Sequence, residues 1–221
     1  MTIDLQQIDQ TCMAALDGET YEEPRFSERC SVQPSTRFAT WMVAAFESEQ
    51  PEPTAMALAS LSPSGAPRLR WVLCKGWEAD GLRFYTNLQS QKGVQLLNDY
   101  RVAAAFHWVG LERQVRVEGR VEALDDPMAD AYYETRPRLS RLGAWASRQS
   151  QPLSDRDTLQ ASVDAVEARF EGQQPPRPPH WSGFRIVPDR WEFWQGRPGR
   201  LHERITCRRI DGEWREWKLF P

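Results

Sequence analysis

A single domain of 221 residues buries most of the apolar surface its unfolded chain exposes, so this protein needs neither disulfide nor metal to staple it. Its net charge of −3 is unevenly spread: residues 1–30 carry seven acids (Asp4, Asp9, Asp17, Glu19, Glu22, Glu23 and Glu28) against Arg25 and Arg29, which leaves the remainder at +2. That mild surplus argues against a nucleic-acid surface, which concentrates its basic groups in a stripe, and favours a small anionic ligand.

Residues 1–33 read as an acidic arm, mobile or loosely docked, with a short helix over Ile3–Leu16. Its opening Met1-Thr2-Ile3-Asp4 lacks the basic region of a secretory leader, and no apolar run in the chain approaches the ~18 residues of a membrane span. The four cysteines, Cys12, Cys30, Cys74 and Cys207, form no C-x-x-C pair and no metal-ligand spacing with the histidines, so reduced thiols in a cytoplasmic protein without a metal are expected.

One domain then runs from 34 to 221. Phe38, Met42, Ala45 and Phe46 repeat at helical spacing after Pro34 and before Pro51 and Pro53, which predicts an amphipathic helix. Strand-like runs follow at Thr54–Leu61, Arg68–Trp77, Leu82–Thr86, Val102–Trp108 and Gln114–Ala123, the first three separated by Ser62-Pro63-Ser64-Gly65 and Ala79-Asp80-Gly81 turns. Ser90–Tyr100 reads as a helix between the third and fourth. Five strands in one meander favour a closed or nearly closed barrel, which removes exposed edges. Asp126-Pro127 predicts an N-cap and first-turn proline for a helix over Met128–Thr135, Ser140–Ser147 a second short helix, and Ser154 with Asp157 a capping box ahead of Leu159, Val163, Val166 and Phe170. Proline-rich Gln173–Pro179 ends it. Runs at Trp181–Val187, Trp191–Trp194, Arg204–Ile210 and Glu213–Leu219, with Asp211-Gly212 as a hairpin turn, return the chain to the same domain. The class is therefore mainly β with flanking helices (α+β). Most of the ten tryptophans are assigned to packing on sheet surfaces.

No G-x-S-x-G, H-E-x-x-H, Walker loop or G-x-G-x-x-G occurs, which removes many hydrolases and dinucleotide-binding folds. Strand alternation puts Arg200, His202 and Arg204 on one face, a set suited either to an anion or electron-rich ring or, equally, to a solvated salt-bridged edge. In Arg70-Trp71-Val72-Leu73-Cys74-Lys75, alternation points Arg70, Val72 and Cys74 one way and Trp71, Leu73 and Lys75 the other. Tyr85-Thr86-Asn87 ends a strand, and Ser90-Gln91-Lys92 opens a helix whose free N–H groups suit a phosphate. Tyr132, Arg136 and Ser140 recur every four residues, which stacks the first two on one helical face.

These residues carry a resemblance. From about Pro34 to Pro221 the chain resembles the pyridoxine/pyridoxamine 5'-phosphate oxidases of the FMN-binding split-barrel group, most specifically at Arg70–Lys75, Phe84-Tyr85-Thr86-Asn87, Leu111-Glu112-Arg113-Gln114-Val115, Arg136-Pro137-Arg138, Gly143-Ala144-Trp145-Ala146-Ser147, Trp191-Glu192-Phe193-Trp194-Gln195-Gly196 and Arg200–Arg204. The resemblance implies a split β-barrel and a homodimer with FMN in a cleft between subunits. It assigns Arg70, Trp71, Val72, Leu73, Lys75, Tyr85, Thr86, Ser90, Gln91, Lys92 and Gln114 to the flavin, with Gln149, Ser150, Trp194 and Arg204 contributed by the neighbouring subunit. It further assigns Lys75, Tyr132, Arg136 and Ser140 to the substrate phosphate, and Arg200 and His202 to the pyridine ring and the chemistry. The implied reaction oxidises pyridoxamine or pyridoxine 5'-phosphate to pyridoxal 5'-phosphate with O2, releasing H2O2. A related flavin oxidase of another substrate, or a non-catalytic flavin or vitamin B6 binder, are the alternatives. Two departures stand out: Gln91 occupies a position where the family usually has arginine at the flavin phosphate, and the acidic arm has no clear Arg-x-x-Tyr segment.

Overall fold

The computed structural model describes residues 28–221, so the helix expected over Ile3–Leu16 lies outside the described residues. Helix α1 (Pro34–Glu47) starts on a first-turn proline and buries Phe38, Met42 and Ala45 completely. Phe46, expected on the same stripe, is half exposed and stacks instead on Trp77. Phe38 meets Phe106 at 5.0 Å and Trp191 at 5.3 Å between ring centroids, which anchors the helix to the sheet.

The strands are β1 (Glu28–Arg29), β2 (Ala55–Leu61), β3 (Pro67–Leu73), β4 (Gly76–Glu78), β5 (Gly81–Asn87), β6 (Arg101–Trp108), β7 (Arg113–Ala123), β8 (Trp181–Gln195), β9 (Glu203–Ile210) and β10 (Glu213–Leu219). All pair antiparallel, in the order β1-β10-β9-β8-β7-β6-β2-β3 with β5 joined to β8 and β4 to β5. The expected meander of five strands is not what forms. β6 pairs with β2 rather than with β5, through the alanine pairs Ala57–Ala105 and Ala59–Ala103, and β5 pairs with β8, about a hundred residues further along the chain. The run Arg68–Trp77 is also not one strand, because the chain turns at Cys74 and Lys75, whose N–H groups donate to Thr54 O and Arg83 O.

β8 explains why the barrel is split. One flank pairs with β7 along nearly its whole length; on the other flank, Trp181–Ile186 pairs with β5 and Arg190–Gln195 with β9. The sheet forks there. The Lys75 N–H to Arg83 O bond (2.7 Å) brings the end of β3 back to β5 and closes one side of the fork into the barrel. What reads as two short strands is a single one of 15 residues, carried across Pro188 by a bulge at Asp189 opposite Glu118 and Gly119. A Cβ on Gly119 would fall 2.2 Å from Val187 O, so only glycine lets β7 approach there.

Helix α2 (Gln91–Asn98) connects β5 to β6, and helices α3 (Asp126–Glu134), α4 (Arg138–Ala146) and α5 (Arg156–Arg169) lie in the connection from β7 to β8. Two caps differ by one residue from expectation. Asp125, not Asp126, caps α3 by accepting the Met128 N–H, and Asp155, not Ser154, caps α5 by accepting the Thr158 N–H. Asp211 and Gly212 both take positive φ (51° and 82°), the two-residue hairpin turn that Asp-Gly predicts. The described end of the acidic arm adds β1 to the edge of β10.

Candidate functional site

A cleft of about 490 Å³ opens beside the β5 end of β8. Strand β3 supplies Trp71, Val72 and Leu73, the turn after it Lys75, β5 supplies Tyr85, Thr86 and Asn87, and α2 supplies Lys92. The α3–α4 segment adds Tyr132, Arg136 and Ser140, and the chain beyond adds Gly143, Ala144, Ser147 and Gln149. The expected alternation along β3 holds: Arg70 and Val72 turn inward with buried Cys74, while Leu69, Trp71 and Leu73 are exposed.

The electrostatics of this cleft are one-sided. Lys75, Lys92 and Arg136 line it, and no carboxylate does. Burial, with Arg70 close by, holds the Lys92 ammonium below the ordinary lysine range. Burial likewise lowers Arg136, whose guanidinium lies 4.7 Å over the Trp181 ring while its buried Nη1 finds no hydrogen-bond partner. Buried donors without acceptors are costly, so this arrangement is that of a receptor for an anion. Tyr85, Tyr132 and Trp181 stack nearly parallel, with Tyr85 3.9 Å from Tyr132 and 5.4 Å from Trp181, and burial pushes both phenols up. They form a flat aromatic wall.

Local structure positions these groups. Ser90 caps α2, accepting the Gly93 N–H and donating to Asn87 O, so its hydroxyl is fully buried and occupied within the chain. A Cβ at Gly93 would sit 2.4 Å from Leu88 O, so glycine is what allows the first turn of α2 to rest on the end of β5. Arg70 also faces its own chain, donating to Leu58 O (3.0 Å), Ser60 Oγ (2.7 Å) and Gln95 Oε1 (2.7 Å). Arg136 lies past the end of α3, in the turn before Pro137, and Ser140 is the third residue of α4; the helix-face argument for them fails, yet the turn delivers all three to the cleft.

A second group gathers elsewhere on the chain. Gln114, Trp194 and Arg204 share a smaller cavity with Arg116, Glu192 and Pro221. Buried Glu192 accepts from Arg204 at 2.9 Å, and Arg204 also donates to Phe220 O. The His202 ring lies 4.5 Å from that of Trp194. Arg200, His202 and Arg204 do not share a strand face: Arg200 ends a 3-10 turn in a left-handed conformation (φ 62°), His202 follows in the loop, and only Arg204 is in β9. The Arg197 N–H donates to His202 Nδ1 (3.2 Å), which leaves the proton of the neutral ring on Nε2.

Gln114 groups with Trp194 and Arg204 rather than with Lys75, while Gln149 borders the same cleft as Lys75, and Ser150 the groove beside it. Sequence reasoning missed Trp181, assigned with the other tryptophans to packing, and gave no role to Gly143, Ala144 and Ser147, although the Gly143–Ser147 motif was a signal. Among the described residues one cluster, Cys30, Cys207 and Glu216, has potential metal ligands close together; Arg37 pairs with Glu216 at 3.0 Å and burial raises both thiols, as in packed core. No helix of the described residues is long and apolar enough to cross a membrane.

Comparison with known proteins places this geometry. Residues 42–195 match the family model described as pyridoxamine 5'-phosphate oxidase, and residues 181–221 the pyridoxine 5'-phosphate oxidase C-terminal dimerisation region. A pyridoxine/pyridoxamine 5'-phosphate oxidase of Cupriavidus metallidurans is 51% identical over 189 residues, covering 85% of this chain and 89% of its own. Its counterpart in Methylibium petroleiphilum is 48% identical over 205 residues, covering 92% and 96%. Among solved structures, PhzG from Burkholderia lata, in complex with tetrahydrophenazine-1-carboxylic acid, superposes with a TM-score of 0.82 at 28% identity, over 86% of this chain and 93% of that one. A pyridoxamine 5'-phosphate oxidase-related, FMN binding protein of Nostoc punctiforme, with a TM-score of 0.70 at 19% identity over 87% and 100%, shares the split-barrel fold.

Proposed function

Because this chain belongs to the pyridoxamine 5'-phosphate oxidase family, a family of oxidoreductases, we propose that it is a homodimeric, FMN-dependent oxidase that converts pyridoxamine or pyridoxine 5'-phosphate to pyridoxal 5'-phosphate. O2 is the electron acceptor and H2O2 a product, with ammonia released from the amine substrate. The observation that carries this reading is the cleft holding three cations, no carboxylate and a buried unpartnered guanidinium edge at Arg136. It fits a ligand set rich in phosphate, with the aromatic wall suited to flat rings.

In this reading Lys75, Tyr132, Arg136 and Ser140 grip the substrate phosphate and so fix the pyridine at the position of reaction. Lys92 and the first turn of α2 face the flavin phosphate. FMN held there would supply the hydride acceptor for the substrate carbon and the route for its two electrons to O2. Gln114, Trp194, Arg204, Arg200 and His202 reach the cleft of the partner subunit; apart from Gln114, all lie within the matched dimerisation region. Exposed Leu69, Trp71 and Leu73 on edge strand β3 supply apolar surface for that contact. Arg200 lies over the pyridine, and His202, its Nδ1 occupied by the Arg197 N–H, holds or passes a proton at Nε2.

The test is an anaerobic titration of the flavin-loaded protein. Pyridoxamine 5'-phosphate is expected to bleach the flavin absorbance, and unphosphorylated pyridoxamine to fail at the same concentration. A yellow protein that neither compound bleaches would instead be a non-catalytic binder.

A further inference from the structure

Beside the main cleft, and sharing Gln149 with it, lies a groove of about 460 Å³ bordered by Arg68, Gln89, Gln91, Gln95 and Ser150. Arg68 is its one cation, and no carboxylate borders it. Gln91 opens α2 on this side, while Lys92 faces the cleft on the other. The backbone N–H groups of Gln91 and Lys92 have no acceptor among the described residues, since the Ser90 hydroxyl takes the N–H of Gly93. An anion seated there meets a neutral amide at Gln91.

The other guanidinium of this strand is already committed, by three of its five N–H donors, to its own chain. Arg70 is tied to Leu58 O, Ser60 Oγ and the buried side chain of Gln95. Arg68, two residues earlier on the same face and opposite Ser60 in the register, is exposed, and its side chain has neither ion pair nor hydrogen bond among the described residues. We infer that Arg68, reaching across this groove to the N-terminus of α2, supplies the charged contact to the flavin phosphate that Gln91 does not, and so selects the phosphorylated flavin. The inference rests on the proposed FMN reading. A guanidinium offers a planar fork to phosphate oxygens wherever on the rim it originates, so a charge moved from helix to facing strand serves the same anion.

The test is titration of the flavin-free protein with FMN and, separately, with riboflavin, which lacks the phosphate, read by flavin fluorescence. Arg68→Ala is expected to weaken FMN binding by about tenfold or more and to leave riboflavin binding unchanged. Adding Gln91→Arg to Arg68→Ala is expected to restore FMN affinity. An Arg68→Ala protein that binds FMN like the parent overturns the inference, as does one that loses FMN and riboflavin equally, or a double variant that is not restored. A parent protein that binds neither flavin overturns the FMN reading itself, and this inference with it.

Discussion

At the scale of single residues, the cleft holds its charges at a cost to the ligand-free protein. Lys92 is half-buried beside Arg70, and its folded-state pKa lies below the ordinary value of 10.5. The unfolded chain therefore holds that proton more tightly, so the charged lysine opposes folding at neutral pH, and this penalty fades as pH rises towards the unfolded value. Lys92→Met is accordingly expected to raise the melting temperature of the flavin-free protein while weakening FMN about tenfold, as thermal melts and flavin titration will report. In the parent, FMN affinity should fall from neutral to alkaline pH through the lowered Lys92 pKa, and the Met variant should lack that fall. A Met variant no more stable than the parent would mean that Lys92 is adequately solvated. The chemistry of these positions was legible in the sequence because residue types and separations were. What the side chains touch was not: Arg70 faces Ser60 and Gln95, partners brought by another strand and a helix.

Among elements, local signals located most helices and strands to within a few residues, because proline, glycine and periodicity act over a single turn. Pairing partners lie beyond that range. Nothing local in β5 announces β8, whose Trp181–Ile186 half arrives about a hundred residues later, and the alanines that admit β6 beside β2 read as unremarkable small residues. The caps were misplaced by one because adjacent Asp125 and Asp126, or Ser154 and Asp155, are chemically equivalent candidates until the backbone chooses. Gly93 illustrates how an element serves the site. Glycine inside a helix ordinarily costs stability relative to alanine by roughly 1 kcal/mol, so Gly93→Ala should stabilise. Here the added Cβ would fall 2.4 Å from Leu88 O and 2.6 Å from Asn87 O. The substitution is therefore expected to destabilise the protein by about 2 kcal/mol in denaturant unfolding and to weaken FMN, by lifting α2 from β5. Unchanged stability and FMN affinity would show that α2 moves freely.

For the whole molecule, the separation of two residue groups on one chain is the main finding. Lys75, Lys92 and Arg136 occupy one cleft; Arg200, His202 and Trp194 lie elsewhere, within the matched dimerisation region. If the two groups meet across subunits, Lys75→Ala and Arg200→Ala disable different contributors to each centre. Either homodimer should be nearly inactive, with flavin retained by Arg200→Ala. Refolded together in equal amounts, they should recover about one quarter of parental turnover, because half of the dimers are mixed and each mixed dimer has one intact centre. No recovery, with mixed dimers confirmed by mass, would place both groups in a centre made by one chain. Such assembly was invisible to periodicity, which ranks faces within a strand and says nothing of a second copy.

The bulge in β8 has a consequence for how such a molecule can vary. Asp189 is the unmatched residue between the stretch carrying Trp181 and the stretch carrying Glu192 and Trp194. Side chains alternate along a strand, so one unmatched residue sets the phase of everything downstream. Losing it would turn Trp194 and Glu192 to the opposite side, or slide them one step along β7, while Trp181 stayed in place. A lone aspartate thereby keeps the half of β8 at the main cleft in step with the half that lines the smaller cavity.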